Sequence, residues 1–176
     1  MDSHQALESF YLGSEEDWPM AQTTRDIRSF RNHKIHDRSV ENRDHSYTSK
    51  GTLLILEDFD AIRAYLSEHF RSHGYQVYSA SALGDALAVA REEDPEVVAI
   101  DYDLGTENAY QAIEHLRSAL PGSYIVLMGG PGTHEIEERA KQAGASRVLG
   151  KAYHLAELDT IVSEAGTNVY SMVRPS

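Results

Sequence analysis

Residues 96–104 read EVVAIDYDL: four apolar residues, Val97 to Ile100, run directly into Asp101, with Asp103 two places later. A buried carboxylate loses its hydration, so a chain that ends its most apolar strand on an acid needs something to compensate that charge. The flanks show what kind of strand this is. Asp94-Pro95 stops a helical pattern just upstream, and a second helical pattern resumes at 107–119 downstream.

The same alternation runs through the chain from residue 51. Short apolar runs at 52–56 (TLLIL), 75–80, 97–101, 124–128 and 147–151 are separated by amphipathic patterns at 59–72, 82–93, 107–119, 133–143 and 154–165. Five strands alternating with five helices through short turns predict βα units and a parallel sheet with helices on both faces. Gly74 and Gly144 fall where helix C-caps are expected.

Residues 1–50 have a different character. The stretch 31–51 is polar, charged and nearly free of aliphatics, which predicts a flexible extension that cannot bury enough apolar surface to fold alone. A short helix is expected within it near 22–33, capped by Thr23 or Thr24, with Arg25, Arg28, Arg31 and Lys34 close to one face and able to dock on an acidic surface. His4, His33, His36 and His45 also lie here, without a strand or helix frame for a metal site. The expected organisation is an extension (1–50), a folded domain (51–165) and a C-terminal tail (166–176).

Bulk composition narrows the function. The chain has no cysteine, which excludes a disulfide framework, a thiol nucleophile and a thiolate metal site. No apolar run is long enough to span a bilayer and the first twenty residues lack a signal pattern, so a cytoplasmic location and no membrane partner are expected. Net charge is −12, with 9 basic against 19 acidic residues from residue 51 onward. An acidic body repels phosphate backbones, so no nucleic-acid partner is expected, whereas a cation or a protein partner fits.

In open parallel sheets, ligands bind beyond the carboxyl ends of the strands. Read to that end, strand 1 delivers Glu57 and Asp58, strand 3 Asp101, strand 4 Gly129 and strand 5 Lys151. With strands ordered 2-1-3-4-5, strands 1 and 3 are neighbours and three carboxylates meet. Each acid taken singly reads as a helix cap or a surface charge; together they repel unless a cation neutralises them, and a hard-oxygen set of this size suits Mg²⁺. Lys151 adds a compact positive charge for an incoming phosphoryl group. Such a site is suited to receive a phosphoryl group on Asp101.

These residues resemble the receiver domain of two-component response regulators. LLILEDFDAIRAYLSEHFRSHGYQVYSA is similar to that family's first βαβ unit, VVAIDYDLGTENA to its phosphoacceptor strand and loop, and ERAKQAGASRVLGK to its fourth helix, following turn and lysine-ended fifth strand. The resemblance covers about residues 51–165 and implies a flavodoxin-like (βα)5 fold. It further implies Mg²⁺ held by Glu57, Asp58, Asp101 and the main-chain carbonyl of Asp103. Asp101 would take phosphate from a histidine kinase or phosphotransfer protein, Lys151 would contact the phosphoryl group, and a downstream protein would receive the signal.

The switch positions depart from the family. Gly129 stands where Thr or Ser is usual at the end of strand 4, and Val148 where strand 5 carries an aromatic residue that changes rotamer. Gly105 and Ala109 replace the proline and glycine usual after the acceptor, and Ala152 follows Lys151 in place of proline. GGPG (129–132) reads as a loose loop whose amides could hold a phosphoryl oxygen, and Thr133 as the cap of the fourth helix. The principal reading is a stand-alone, non-enzymatic phosphoacceptor, because only eleven residues follow Ala165. One alternative is a phosphorylation-independent interaction platform using helix 4, strand 5, helix 5 and the Tyr153-His154-Leu155 stretch. A remote one is a haloacid-dehalogenase-like phosphatase, for which Thr106 in DYDLGT is out of register by one residue.

Overall fold

The structure, a computed structural model, describes residues 49–151 and 153–173. The Arg-rich stretch 25–34, the histidines before residue 46, and Ala152 lie outside the described residues. Strands β1 (Thr52–Leu56), β2 (Gln76–Ala80), β3 (Val97–Asp101), β4 (Tyr124–Gly130) and β5 (Arg147–Gly150) alternate with helices α1 (Asp60–Ser72), α2 (Leu83–Glu93), α3 (Ala109–Ala119), α4 (His134–Ala143) and α5 (Leu155–Val173). The strands form one parallel sheet in the order β2-β1-β3-β4-β5, the flavodoxin-like arrangement expected from the sequence.

The central place of β3 explains its composition. It pairs with β1 on one side and β4 on the other, and all five of its residues are buried, so no position of the strand has a solvated face. Alternation splits the sheet residues between two layers. Leu54, Leu56, Val98, Ile100, Ile125 and Leu127 pack in one cluster with Ala86 and Ala90 of α2, Ile113 and Leu116 of α3, and Ala140 of α4. The intervening Leu53, Ile55, Val97, Ala99 and Val126 point to the opposite face. There Ile62, Leu66 and Phe70 of α1 and Leu158, Ile161 and Val162 of α5 are buried. A contact of His69 Nε2 with Asp159 Oδ1, 2.7 Å long, ties α1 to α5 on that side.

Local chemistry sets the helix ends. The Asn108 side chain accepts from the amides of Tyr110 and Gln111, so α3 starts at Ala109, two residues later than the pattern predicts. Thr133 caps α4 as expected, accepting from the Ile136 amide. Asp94, at φ 45°, closes α2 ahead of Pro95.

Two boundaries differ from the sequence reading. β4 does not stop at Met128: an irregularity between Met128 and Gly130 brings Gly130 into register with Gly150, and the Lys151 amide donates to the Gly130 carbonyl at 2.6 Å. The first half of GGPG is therefore strand, not loose loop. The last helix does not stop near Ala165 but runs to Val173, so most of the segment 166–176 expected as a tail is helical. Gly166 and Thr167 are poor helix formers, yet no proline occurs before Pro175 to block the i→i−4 ladder.

Because β3 is buried on both faces, its side chains have no room to relax after truncation. Ile100→Ala should lower the unfolding free energy by about 2–5 kcal/mol and Ile100→Val by about 1 kcal/mol, read as midpoint shifts at constant slope in urea titrations.

Candidate functional site

The register of the sheet builds the site. Leu56 of β1 pairs with Ile100 of β3, so the next residues along, Glu57 and Asp101, emerge together at the carboxyl edge. Glu57, Asp58 and Asp101 each place a carboxylate oxygen within 4.8 Å of the other two. Glu57 is only 2% exposed and Asp101 5%, while Asp58 faces solvent.

The surrounding backbone is arranged to hold these acids. The Phe59 amide donates to Glu57 Oε1 at 2.9 Å, and the Asp103 amide donates to Asp101 Oδ2 at 3.1 Å. Arg63, one turn into α1, donates from Nη1 to the carbonyls of Glu57 (2.9 Å) and Asp58 (3.3 Å) and pairs through Nη2 with Asp60. It thus pins the turn that carries the acid pair. Gly105 sits at φ 61°, and a Cβ there would lie 2.9 Å from Asp58 Oδ2. A side chain at 105 would strain the backbone and crowd the carboxylate; a proline, with φ fixed near −65°, could not adopt this turn. Glu107 anchors the far end of the same loop by accepting from the Leu83 amide at the start of α2, 2.8 Å away.

Burial and mutual repulsion perturb the acids. Removal from water, reinforced by the charge of Asp101, pushes Glu57 up to about 8. Burial likewise raises Asp101 to about 6, opposed by the amides of Asp103 and Tyr102 and assisted by the charges of Asp103 and Asp58. Oxygen donors this close, two of them nearly sealed from water, make the fully charged state of the cluster costly. A hard divalent cation relieves that cost, and the residues present fit Mg²⁺.

The remaining sequence-predicted positions have mixed outcomes. The Asp103 carboxylate is not part of the three-acid cluster among the described residues; the Asp103 amide donates to Asp101 Oδ2. Lys151 is the first residue after β5, and its amide is bonded to Gly130. Gly129 lies inside β4 instead of after it, buried at the irregularity, with φ 79°. Val148 pairs with Leu127 and packs, half-buried, on the core. Arg63 and Glu107 escaped the sequence reading because they act on main-chain groups, and Gly105 was named there only as a departure, without its contact with Asp58. An acid at 60 followed by an arginine three residues later was the one available signal for Arg63.

Residues 53–163 match the family model of the response regulator receiver domain. The chain therefore belongs to the response regulator receiver family of two-component signalling. It is 26% identical over 115 residues to the DNA-binding transcriptional regulator NtrC of a Bradyrhizobium strain, covering 65% of this chain and 24% of that protein. It is 23% identical over 112 residues to sporulation initiation phosphotransferase F of Bacillus subtilis, covering 64% of this chain and 90% of that one. The crystal structure of a receiver domain protein from Methanospirillum hungatei superposes with a TM-score of 0.64 at 21% identity, over 69% of this chain and 98% of that one. The chain spans about a quarter of the length of the longer regulators it matches. Receiver domains bind Mg²⁺ at an acidic cluster and interact with histidine kinases or phosphotransfer proteins. No helix among the described residues is long and apolar enough to cross a membrane.

The raised acids make a signed prediction. Between their ordinary values and the raised ones the folded state binds more protons than the unfolded state, so stability of the metal-free protein falls as pH rises from about 5 to 8. Asp101→Asn should raise stability at pH 8 by about 1–3 kcal/mol and flatten that slope, as should saturating Mg²⁺ with the native residue. Thermal melts across this range, with chelator and with Mg²⁺, check it. At position 129, Gly129→Thr would add a hydroxyl but force a β-branched residue into the left-handed region. It should destabilise by about 1–3 kcal/mol in denaturant titrations.

Proposed function

We propose that the chain accepts a phosphoryl group on Asp101 and signals through protein contacts. The observation that carries this reading is the convergence of Glu57, Asp58 and Asp101 within 4.8 Å at the carboxyl edge of the sheet, with Asp101 nearly buried. An oxygen of the Asp101 carboxylate attacks the phosphorus of a phosphohistidine on a kinase or phosphotransfer protein. The phosphorus–nitrogen bond breaks, the imidazole leaves and takes up a proton, and an acyl phosphate remains on Asp101.

Glu57, Asp58, Asp101 and the Asp103 carbonyl would hold Mg²⁺, which when bound neutralises the acids and the charge developing on the transferred oxygens. The Asp103 amide steers Asp101 Oδ2, and Arg63 and the Phe59 amide fix the Glu57–Asp58 turn. Lys151, at the head of the β5–α5 connection, is the cation suited to pair with a phosphoryl oxygen. Gly129 would contribute no hydroxyl to that oxygen.

A second reading draws on the same departures. With Gly129 and Val148 at the switch positions, a phosphorylation-independent platform would present α4, β5 and α5, including the groove lined by Arg147, Leu149, Glu157 and Ile161.

The test is incubation with acetyl phosphate or a phosphorylated histidine phosphotransfer domain, with and without Mg²⁺, followed by intact mass measurement. One phosphoryl group per chain is expected, dependent on Mg²⁺ and abolished by Asp101→Asn; Lys151→Ala should slow its appearance by about tenfold or more. A chain that stays unlabelled by both donors would replace the phosphoacceptor reading with the platform.

A further inference from the structure

Tyr102, the residue next to Asp101, lies at a junction of four elements. Its amide donates to the Met128 carbonyl of β4 at 2.8 Å, and its ring lies against the backbone of Gly130: a Cβ on Gly130 would sit 3.1 Å from Tyr102 Cδ2. The same spot is 3.4 Å from Cγ2 of Ile136 on α4, so the ring and Ile136 border the same space at the end of β4. On its other side Tyr102 meets Tyr110 of α3 edge to face, with centroids 6.2 Å apart. Tyr110 in turn lies under the Arg139 guanidinium of α4, 4.3 Å from ring centroid to Cζ. The Tyr110 hydroxyl is buried with no hydrogen bond of good geometry among the described residues, and the Tyr102 hydroxyl acts on it electrostatically. A rigid core normally satisfies such a group, so the resting packing here leaves one interaction that a small shift of α3 or α4 could gain.

The geometry points to Tyr102 as a positioning residue that carries a change at Asp101 to α4 through Tyr110 and Arg139. This rests on the phosphoacceptor reading and extends it to the route of output. The two positions that would otherwise connect the site to the surface are Gly129, which has no side chain, and Val148, which cannot swing as an aromatic ring does. Tyr102 is covalently next to the acceptor, lies against the β4 end and is linked to α4 through Tyr110 and Arg139. A displacement of the 101–103 backbone when the Asp101 carboxylate is loaded moves the ring directly. Gly130 provides the room, since any side chain there would occupy the space the ring uses.

The experiment uses the full chain with Mg²⁺ and beryllofluoride. Fluorine NMR reports occupancy of the site, and methyl and guanidinium NMR report on Ile136 and Arg139. On addition of beryllofluoride, shifts at Ile136 and Arg139 are expected in the native chain and in Tyr102→Phe. In Tyr102→Leu and Gly130→Ala they should shrink by about threefold or more while the bound fluorine signal persists, the range expected for residues inside a coupling network. Undiminished shifts in Tyr102→Leu with the site occupied would overturn the relay and leave the phosphoacceptor reading standing. A native chain that gives no bound fluorine signal would overturn the acceptor reading and the relay together.

Discussion

Two carboxylates almost fully removed from water, with a third beside them, are an electrostatic burden, since burial and mutual repulsion both disfavour their charged forms. Glu57 and Asp101 are nearly buried and Asp58 is within ligand distance of both, so burial and repulsion act in the same direction on the inner pair. A core evolving only for stability would replace such acids with apolar groups or pair them with arginine. Arg63 stands nearby, yet it donates to the carbonyls behind the acids and pairs with Asp60, leaving the carboxylate oxygens to the site. The acids are held together at the carboxyl edge of the sheet, which frames them.

That frame is what converts sequence separation into proximity. Asp58 and Asp101 are far apart along the chain, but parallel pairing of β1 with β3 fixes both strand ends at one height. Loop chemistry then does the fine placement: the Asp103 amide turns back onto Asp101, Gly105 admits Asp58, and Glu107 fastens the loop to α2. Each of these contacts involves a main-chain group or a missing side chain.

Gly129 and Val148 lie on the β4–β5 side of this frame, away from the turn that carries Glu57 and Asp58. Gly129 occupies a left-handed backbone position at an irregularity of β4, so its identity is bound to the local path of the strand as well as to the absence of a hydroxyl. Val148 is committed to the core. The aromatic pair Tyr102–Tyr110 beneath Arg139 occupies the adjoining space between the acceptor strand and α4.

Much of this was written in the sequence. The order of apolar runs and amphipathic stretches, with Asp94-Pro95, Gly74 and Gly144 between them, determined five βα units. The acids ending runs 1 and 3 pointed to the edge where Glu57, Asp58 and Asp101 converge, because hydrophobic periodicity and strand-end position are local properties that survive without coordinates. What only the tertiary structure decided are the terms that depend on through-space neighbours. Examples are the extent to which Glu57 and Asp101 are sealed from water, the Arg63 grip on two carbonyls, the left-handed turns at Gly105 and Gly129, and the packing of Tyr102 on Gly130. The continuation of α5 to Val173 also belongs here, since weak helix formers such as Gly166 are overruled by context that no single residue announces. Desolvation and main-chain hydrogen bonding are set by where the rest of the chain comes to lie, and that information is distributed over the whole fold.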